Sequence, residues 1–270
     1  MNRYPDKQSG AAEKSCSEWL ELRLRRDLAG KFHLLRPMLE TACGSVWQTR
    51  DLVLDRLVTV EAEGASDTCE GTSGTQFAKR SQWLAGVRHS MIPRVYGIET
   101  ARRSVLFSEN LPGESLKHST TCHGPFTVKE IRRFGQQLCS FVEYLGSSSG
   151  SWKVPFHHSL VYWDRQQHRA WMAGLSLNYT NKVLHVRGES FPEDVYAVGA
   201  LMFYAATCRK PIRAAATLRD GESLPHFASV CELRQEIPRS LGDLIDRCLL
   251  PEPEQRPKTV LEFLRESDCR

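Results

Sequence analysis

The segment that decides the fold runs from Asp51 to Glu61 and reads DLVLDRLVTVE. Its second half, Leu57–Val60, is a short β-type run that follows residues compatible with a turn. Two similar runs come before it, at Phe32–Leu35 and Gly44–Trp47. Short apolar runs separated by turn residues predict a meander of antiparallel strands.

The residues that follow this meander predict a helix and two more strands. A connection rich in Gly, Ser and Thr, Glu63–Thr75, leads to a helix-like segment at Phe77–Val87. Two strand candidates come next, at Arg94–Ile98 and Ser104–Phe107. With the meander they complete a unit of five strands and one helix.

The chain beyond Leu116 is predicted to be mainly helical, which makes the fold class α+β. Thr127 is predicted to cap a long helix, with Glu130 at the capping-box position. Two more helices are predicted around Val195–Ala205 and Leu241–Leu249. The long helix is indicated by apolar residues three and four positions apart, namely Val128, Ile131, Phe134, Leu138, Phe141, Val142 and Leu145.

The composition is that of a globular protein with little charge bias. In 270 residues, 41% are hydrophobic, and Lys plus Arg exceed Asp plus Glu by 36 − 32 = 4. The charges form no basic stripe, so we expect no nucleic-acid partner. The longest apolar stretch, around Val195–Ala206, falls short of the roughly 18 residues of a spanning helix, and the start of the chain is polar. We therefore expect no membrane insertion and a cytoplasmic location.

The cysteine and histidine residues give no sign of a metal site. The nine cysteines form no C-x-x-C pair, which is typical of reduced thiols in a cytosol. Neither the His157-His158 pair nor the group His118, Cys122 and His123 has a second ligand pair at zinc-site spacing. Structural or surface roles are favoured for them over metal binding.

Several stretches, taken in order, resemble the signature set of serine/threonine protein kinases. The opening segment resembles the D-x-x-L-x-R-x-V-A-I-K strand of bacterial-type kinases, and the likeness extends from about Phe32 to Leu264. It implies a bilobal protein-kinase-like fold, with a small N-lobe at 31–110 and a mainly helical C-lobe at 111–270. Residues 1–30 precede the likeness and are predicted to be a partly helical N-terminal extension, because Trp19, Leu20, Leu22 and Leu24 lie among arginines. The other matching stretches are Phe77–Tyr96, the hinge phrase Leu106–Leu116, Asp194–Gly199, Thr207–Pro211 and Arg256–Pro257.

The phosphate clamp that the resemblance implies is altered in this chain. In the family a lysine on the third strand pairs with the phosphates and with a helix glutamate. Here Glu61 stands at the lysine position and Arg80 at the glutamate position. We predict that the two form a charge-swapped salt bridge, the alternative being two unrelated surface charges. Of the Gly-rich loop, only Gly44 is retained.

The metal-binding and catalytic positions of the family are also altered. Aligning Ser159–Ser176 without gaps makes Gly174 the glycine of D-F-G, with Met172 at the magnesium-binding aspartate and Ala173 at the phenylalanine. Ser159 replaces the metal-binding asparagine, and Val154 replaces the catalytic aspartate. Because magnesium needs oxygen ligands, we expect no metal and no cofactor.

Three other acidic residues are candidate substitutes for groups that the family has and this chain lacks. Asp164 falls in a strand-to-strand turn of this alignment, which favours a solvated turn residue over a metal ligand. No A-P-E motif is recognisable in the segment between Gly174 and Asp194, so Glu189 or Glu193 is left as the glutamate partner of Arg256.

The resemblance therefore predicts a pseudokinase that acts as a protein-binding scaffold or allosteric regulator, and not as an enzyme. Its partner would be a protein, either an active kinase or another enzyme, with contacts through Trp19–Leu28, Glu63–Thr75 or the short activation segment. Two alternatives remain open. One is a weak or atypical ATP-dependent transferase, and the other is a small-ligand sensor with an apolar lining around Val46 and Phe107.

Overall fold

The computed structural model describes residues 21–41, 44–64, 73–99, 104–147, 156–177, 193–211 and 228–257. The chain divides into two compact units. The first comprises Met1–Leu111 and Trp171–His185, and the second comprises Pro112–Ala170 and Val186–Arg270.

The first unit is built on the five-stranded antiparallel sheet that the sequence predicts. The strands are β1 (Phe32–Thr41), β2 (Gly44–Asp51), β3 (Arg56–Glu63), β4 (Val95–Glu99) and β5 (Val105–Glu109). Their order in the sheet is β1-β2-β3-β5-β4, so β3 lies at the centre. One helix on this sheet, α2, spans Ser73–Gly86 and contacts β3 and β4.

The outer face of this sheet is covered by the chain that precedes β1. Residues 21–27 form a helix, α1, and its Leu24 and the following Leu28 are buried. Phe32 stacks on Phe107 of β5 with 4.6 Å between ring centroids. The apolar cluster on this face comprises Leu24, Leu28, Leu34, Trp47, Val58, Val60, Ala62, Val105 and Phe107. Since each buried aliphatic side chain contributes about 1.5–3 kcal/mol, helix α1 is part of the core of the first unit.

The inner face of the sheet carries the alternate residues of the same strands. Glu61 of β3 lies directly opposite Val46 of β2 and Leu106 of β5 in the strand register. Because directly opposed residues share a face, these three side chains point away from the outer cluster. The α2 residues Phe77 and Leu84 are buried as well.

The second unit is mainly helical. Its helices are α3 (Leu116–His123), α4 (Val128–Ser147), α5 (Glu193–Thr207), α6 (Val230–Leu233) and α7 (Arg239–Cys248). The longest helix, α4, contacts α5, and α5 contacts α7. The α5–α7 packing is close at Gly199, where an added Cβ would lie 2.4 Å from Cβ of Cys248. Three short strands, β6 (Glu114–Ser115), β7 (Val161–Asp164) and β8 (Arg169–Met172), form a second sheet, and the division between the units falls within β8.

The predicted capping box starts helix α4. The main-chain N–H of Thr127 donates to Glu130 Oε2 at 2.8 Å, and the N–H of Glu130 donates back to Thr127 Oγ1 at 3.3 Å. Arg165 adds an ion pair to Glu130 at 3.2 Å. In the part of the chain that the structure describes, no helix combines the length and the apolar character that crossing a bilayer requires.

Candidate functional site at Glu61

The centre of strand β3 holds a buried carboxylate. Glu61 is 2% exposed, and its neighbours across the sheet, Val46 and Leu106, are apolar. A buried carboxylate is costly unless hydrogen bonds compensate for its lost hydration. The position of Glu61 therefore requires donors close by.

Those donors come from the segment Gly174–Leu177, here called the anchored segment. The N–H of Gly174 donates to Glu61 Oε1 at 2.7 Å. The N–H and the Oγ of Ser176 donate to Oε2 at 3.0 Å and 2.5 Å. Burial raises the pKa of Glu61, while the hydrogen bonds from the anchored segment act in the opposite direction. Both oxygens of the carboxylate are thus engaged with the anchored segment.

Arg80 binds the anchored segment at a main-chain carbonyl group, whereas Glu61 binds main-chain N–H groups. Its Nη1 donates to the carbonyl oxygen of Leu177 at 2.9 Å. Among the ion pairs between described residues, none links Glu61 with Arg80, so the predicted salt bridge is wrong. The reason is that each charge finds a main-chain partner, the carboxylate taking N–H groups and the guanidinium a carbonyl. The two residues thus bind one segment at different main-chain groups.

The other predicted positions fall in two places. Met172 and Ala173 are fully buried in the first unit, directly before the anchored segment. The N–H of Met172 donates to the carbonyl of Met91 at 2.8 Å. Ser159 lies in the second unit, where its N–H donates to His157 Nδ1 at 3.3 Å. Val154 is outside the described residues.

The space beside Glu61 is very small. Glu61, Leu106, Ser108 and Met172 line a cavity of about 10 Å³, the volume that a single water molecule needs. The buried hydroxyl of Ser108 has no hydrogen-bond partner within the described part of the chain. A water molecule in this cavity would satisfy that hydroxyl, whereas a nucleotide or metabolite does not fit there.

The two residues predicted to line a sensor pocket, Val46 and Phe107, lie on opposite faces of the sheet. Val46 shares the inner face with Glu61, but Phe107 lies opposite Val60 and belongs to the outer cluster. Phe107 is only 9% exposed and is stacked on Phe32. The two residues therefore do not line one pocket, because the register places their side chains on opposite faces.

Two hydroxyl residues contribute to the site and were missed in the sequence. Ser176 stands where the aligned family motif has alanine, and so does Thr59 of β3. Thr59 Oγ1 accepts from the N–H of Leu111 at 3.0 Å, so that buried donor is already used. A hydroxyl at a position where the motif has alanine was the available signal in both cases.

The donor set beside Glu61 does not fit a magnesium–nucleotide cofactor. Magnesium requires oxygen ligands in octahedral geometry, and the aligned metal position holds the thioether of Met172. Across the ranges described by the structure, no group of three or more His, Cys, Asp or Glu side chains is arranged to hold a metal ion.

Asp164 and Arg256 have structural partners. Asp164 Oδ1 accepts from the N–H groups of Gln166 and Gln167, at 2.9 and 3.1 Å, so it lies at the predicted turn. It is 8% exposed, and the expectation that it would be solvated is wrong because it caps the turn from the buried side.

Arg256 donates to the carbonyls of Leu250 and Pro251 at 2.7 and 3.0 Å. Glu189 and the side chain of Glu193 lie outside the described residues.

The sheet, the helix packed on it and the mainly helical second unit define a protein-kinase-like domain. No family model matches the chain. It is 21% identical over 261 residues to the serine/threonine-protein kinase PrkC of Bacillus subtilis (strain 168), a match that covers 86% of this chain and 39% of PrkC. It is also similar to a crystal structure of the Mycobacterium tuberculosis PknI kinase domain, with a TM-score of 0.61 and 12% identity, covering 88% of this chain and 95% of that domain. The resemblance to the protein kinase superfamily is thereby confirmed.

Proposed function

We propose that this chain is a catalytically inactive kinase-like domain that works by binding another protein. The observation that carries the proposal is the engagement of Glu61 with Gly174 and Ser176 at the position where the family holds its phosphates with lysine. A buried carboxylate repels a polyphosphate. Even with partial screening, the change of sign at about 4 Å amounts to several kcal/mol against nucleotide binding.

A second line of support comes from the metal positions. Met172 replaces the aligned metal-binding aspartate and is fully buried, while Ser159 replaces the metal-binding asparagine and Val154 the catalytic aspartate. Loss of each group costs orders of magnitude in phosphoryl transfer. What the chain retains is the packed scaffold, which is the part of a kinase-like fold that an interaction function needs.

Nucleotide binding gives the direct test. We expect millimolar ATP or ADP, with or without magnesium, to leave the melting temperature of the chain unchanged, because a ligand that binds the folded state must raise it. Phosphoryl transfer from labelled ATP to a general protein substrate should equal the background. Metal-dependent transfer that is lost in Glu61→Ala and kept in Glu40→Ala, an exposed acidic control, would overturn the proposal.

Protein binding is tested separately. The chain, used as bait in the native organism's extract without nucleotide, should retain a partner that is absent from an unrelated bait. Two tests of that partner follow. Purified partner should bind the purified chain directly, and if the partner is an enzyme, its activity should change. A partner that binds only when ATP is present would contradict a nucleotide-independent scaffold.

The two alternative functions receive less support. A transferase would need new carboxylates for the metal, and the buried acidic group at the site, Glu61, is bound to the anchored segment. A sensor would need a cavity, and the space beside Glu61 is about 10 Å³. A thermal shift with nucleotide that needs no metal would favour the sensor over the scaffold.

A further inference from the structure

Ser108 of β5 places a buried hydroxyl on the inner face of the sheet. Ser108 is 1% exposed, and its hydroxyl has no hydrogen-bond partner among the residues that the structure describes. The hydroxyls of Thr49 and Ser81 share this property, but of the three only Ser108 lines the cavity beside Glu61. Most buried polar groups bond to protein or to ordered water. The cavity is therefore the place to look for the partner of Ser108.

The strand register brings the carboxylate of Glu61 to the same cavity. Glu61 lies directly opposite Leu106, and Ser108 comes two residues later on the same strand. Glu61 and Ser108 therefore share a face as a diagonal pair, with Cβ atoms about 7–8 Å apart or somewhat less. The hydroxyl makes no direct bond to the carboxylate. A bridging water joins polar atoms about 5–6 Å apart, which suits a diagonal pair.

The lining of the cavity selects water over other ligands. Glu61 and Ser108 supply the oxygen atoms, and the remaining lining side chains, among them Leu84, Ile92 and Met172, are apolar. The volume of about 10 Å³ admits one water molecule. A magnesium or calcium ion needs about six oxygen ligands, which two side chains cannot provide. An apolar molecule would leave the hydroxyl of Ser108 unpaired.

We infer that the cavity binds a single water molecule, which accepts from the hydroxyl of Ser108 and donates to the carboxylate of Glu61. Oε1 is the less engaged carboxylate oxygen, because it accepts from the N–H of Gly174 while Oε2 accepts from both donors of Ser176. An added donor stabilises the charged form of a carboxyl group. Ser108 is thus a positioning residue that acts on the charge of Glu61 through the water.

A crystal structure at high resolution tests the water site directly. We expect one water molecule within hydrogen-bonding distance of both Ser108 Oγ and a carboxylate oxygen of Glu61. A dry cavity overturns the inference. A water molecule that contacts only one of the two side chains overturns it as well, because the bridge is then absent.

Two serine-to-alanine variants distinguish a bridging water from an unpaired hydroxyl. Ser108→Ala breaks the bridge, so the folding equilibrium constant from urea denaturation should fall about tenfold or more, as expected for a hydrogen bond to a charged group. Ser81→Ala is the matched control, because Ser81 is also buried and unpaired among the described residues. It loses no bond and should be at least as stable as the wild type. A Ser108→Ala chain as stable as the wild type contradicts the bridge.

The ionisation of Glu61 gives a readout that a purely structural role of Ser108 would leave unchanged. Loss of the donor bond disfavours the charged form, so the pKa of Glu61, followed by carbon-13 NMR of its carboxyl carbon, should rise in Ser108→Ala. The pKa of Glu61 should be the same in Ser81→Ala as in the wild type. An unchanged pKa in Ser108→Ala overturns the inference even if that variant is less stable. These measurements use neither nucleotide nor partner protein, so the water site and the proposed function can fail separately.

Discussion

Glu61 and Ser176 are 115 residues apart in sequence and are joined by two hydrogen bonds, from the N–H and the Oγ of Ser176 to Glu61 Oε2. Gly174 completes the arrangement at Oε1. Hydrogen bonds to a charged acceptor are stronger than neutral ones, and breaking one side leaves the partner groups buried and unpaired. The anchored segment is therefore attached to the central strand of the sheet through both oxygens of one buried carboxylate.

Removal of the carboxylate should destabilise the chain markedly. Glu61→Ala leaves the N–H groups of Gly174 and Ser176 without their acceptor, and each buried unpaired group costs about 1–3 kcal/mol. We expect a loss of about 2–4 kcal/mol in the free energy of unfolding, measured by urea denaturation. Glu40→Ala, at an exposed position of β1, should change stability by less than about 0.5 kcal/mol. Equal stabilities for the two variants would contradict the role of Glu61.

The raised pKa of Glu61 should be visible in the pH dependence of stability. The folded chain binds a proton at Glu61 more readily than the unfolded chain does. Between the ordinary pKa of 4.5 and the higher folded value, the contribution of Glu61 to stability therefore falls as pH rises. Glu61→Gln cannot titrate and should lack this component. The free energy of unfolding of the wild type minus that of Glu61→Gln, measured by denaturation from about pH 4 to about pH 8, should decrease as pH rises. A difference that grows with pH would show a lowered pKa instead.

His157 and His158 should make the chain sensitive to acid. Burial, together with nearby Lys117 and Lys210, lowers the pKa of His157 to about 4 and that of His158 to about 3, and the rings pack edge to face at 4.0 Å. The unfolded chain takes up protons below the ordinary value of 6.5, before the folded chain does, so stability should fall as pH drops from 6.5 towards 4.

The histidine prediction has a matched pair of variants. The fall in the free energy of unfolding below pH 6.5 is here called the acid limb. His158→Phe keeps an aromatic ring against Tyr204 and removes one titrating group, so the slope of the acid limb should decrease by up to about 1.4 kcal/mol per pH unit. His33→Phe replaces an exposed histidine of β1 and should leave the limb as in the wild type. Identical acid limbs in all three chains would contradict the assignment.

Helix α1 should contribute to folding through one side of its surface. Leu24 is fully buried in the outer cluster, whereas Leu22 on the same helix is 69% exposed. We expect Leu24→Ala to cost about 2–4 kcal/mol in the free energy of unfolding, because it removes buried methyl groups and leaves a cavity. Leu22→Ala should cost less than about 0.5 kcal/mol. If both variants have the stability of the wild type, α1 is not part of the core.

Features that depend on neighbouring residues could be predicted from the sequence. The capping box between Thr127 and Glu130 spans three positions, and both of its hydrogen bonds are formed. The strands at Gly44–Trp47 and Leu57–Val60 were recognised from short apolar runs, although they extend further, to Asp51 and Glu63. Backbone pairing carries a strand past its apolar residues, and no local signal marks where that pairing stops.

The predictions from sequence are wrong where the hydrogen-bond or packing partner of a residue lies far along the chain. The spacing of Glu61 and Arg80 suggested a direct salt bridge, because opposite charges at paired positions are the simplest arrangement. The register also decides which face a side chain takes, so Phe107 belongs to the outer cluster while Val46 belongs to the inner face. A shift of one residue in that register would have reversed the faces.

The sequence by itself determined the α+β fold class and the five strands with their helix, and it predicts that Glu61 replaces the phosphate-binding lysine of the family. These follow from apolar periodicity and from the identity of single residues, which are local properties. Only the tertiary structure decided what Glu61 binds. Main-chain N–H groups occur at nearly every position, so a buried carboxylate bonds to whichever of them the packing brings near, and here those are the N–H groups of Gly174 and Ser176.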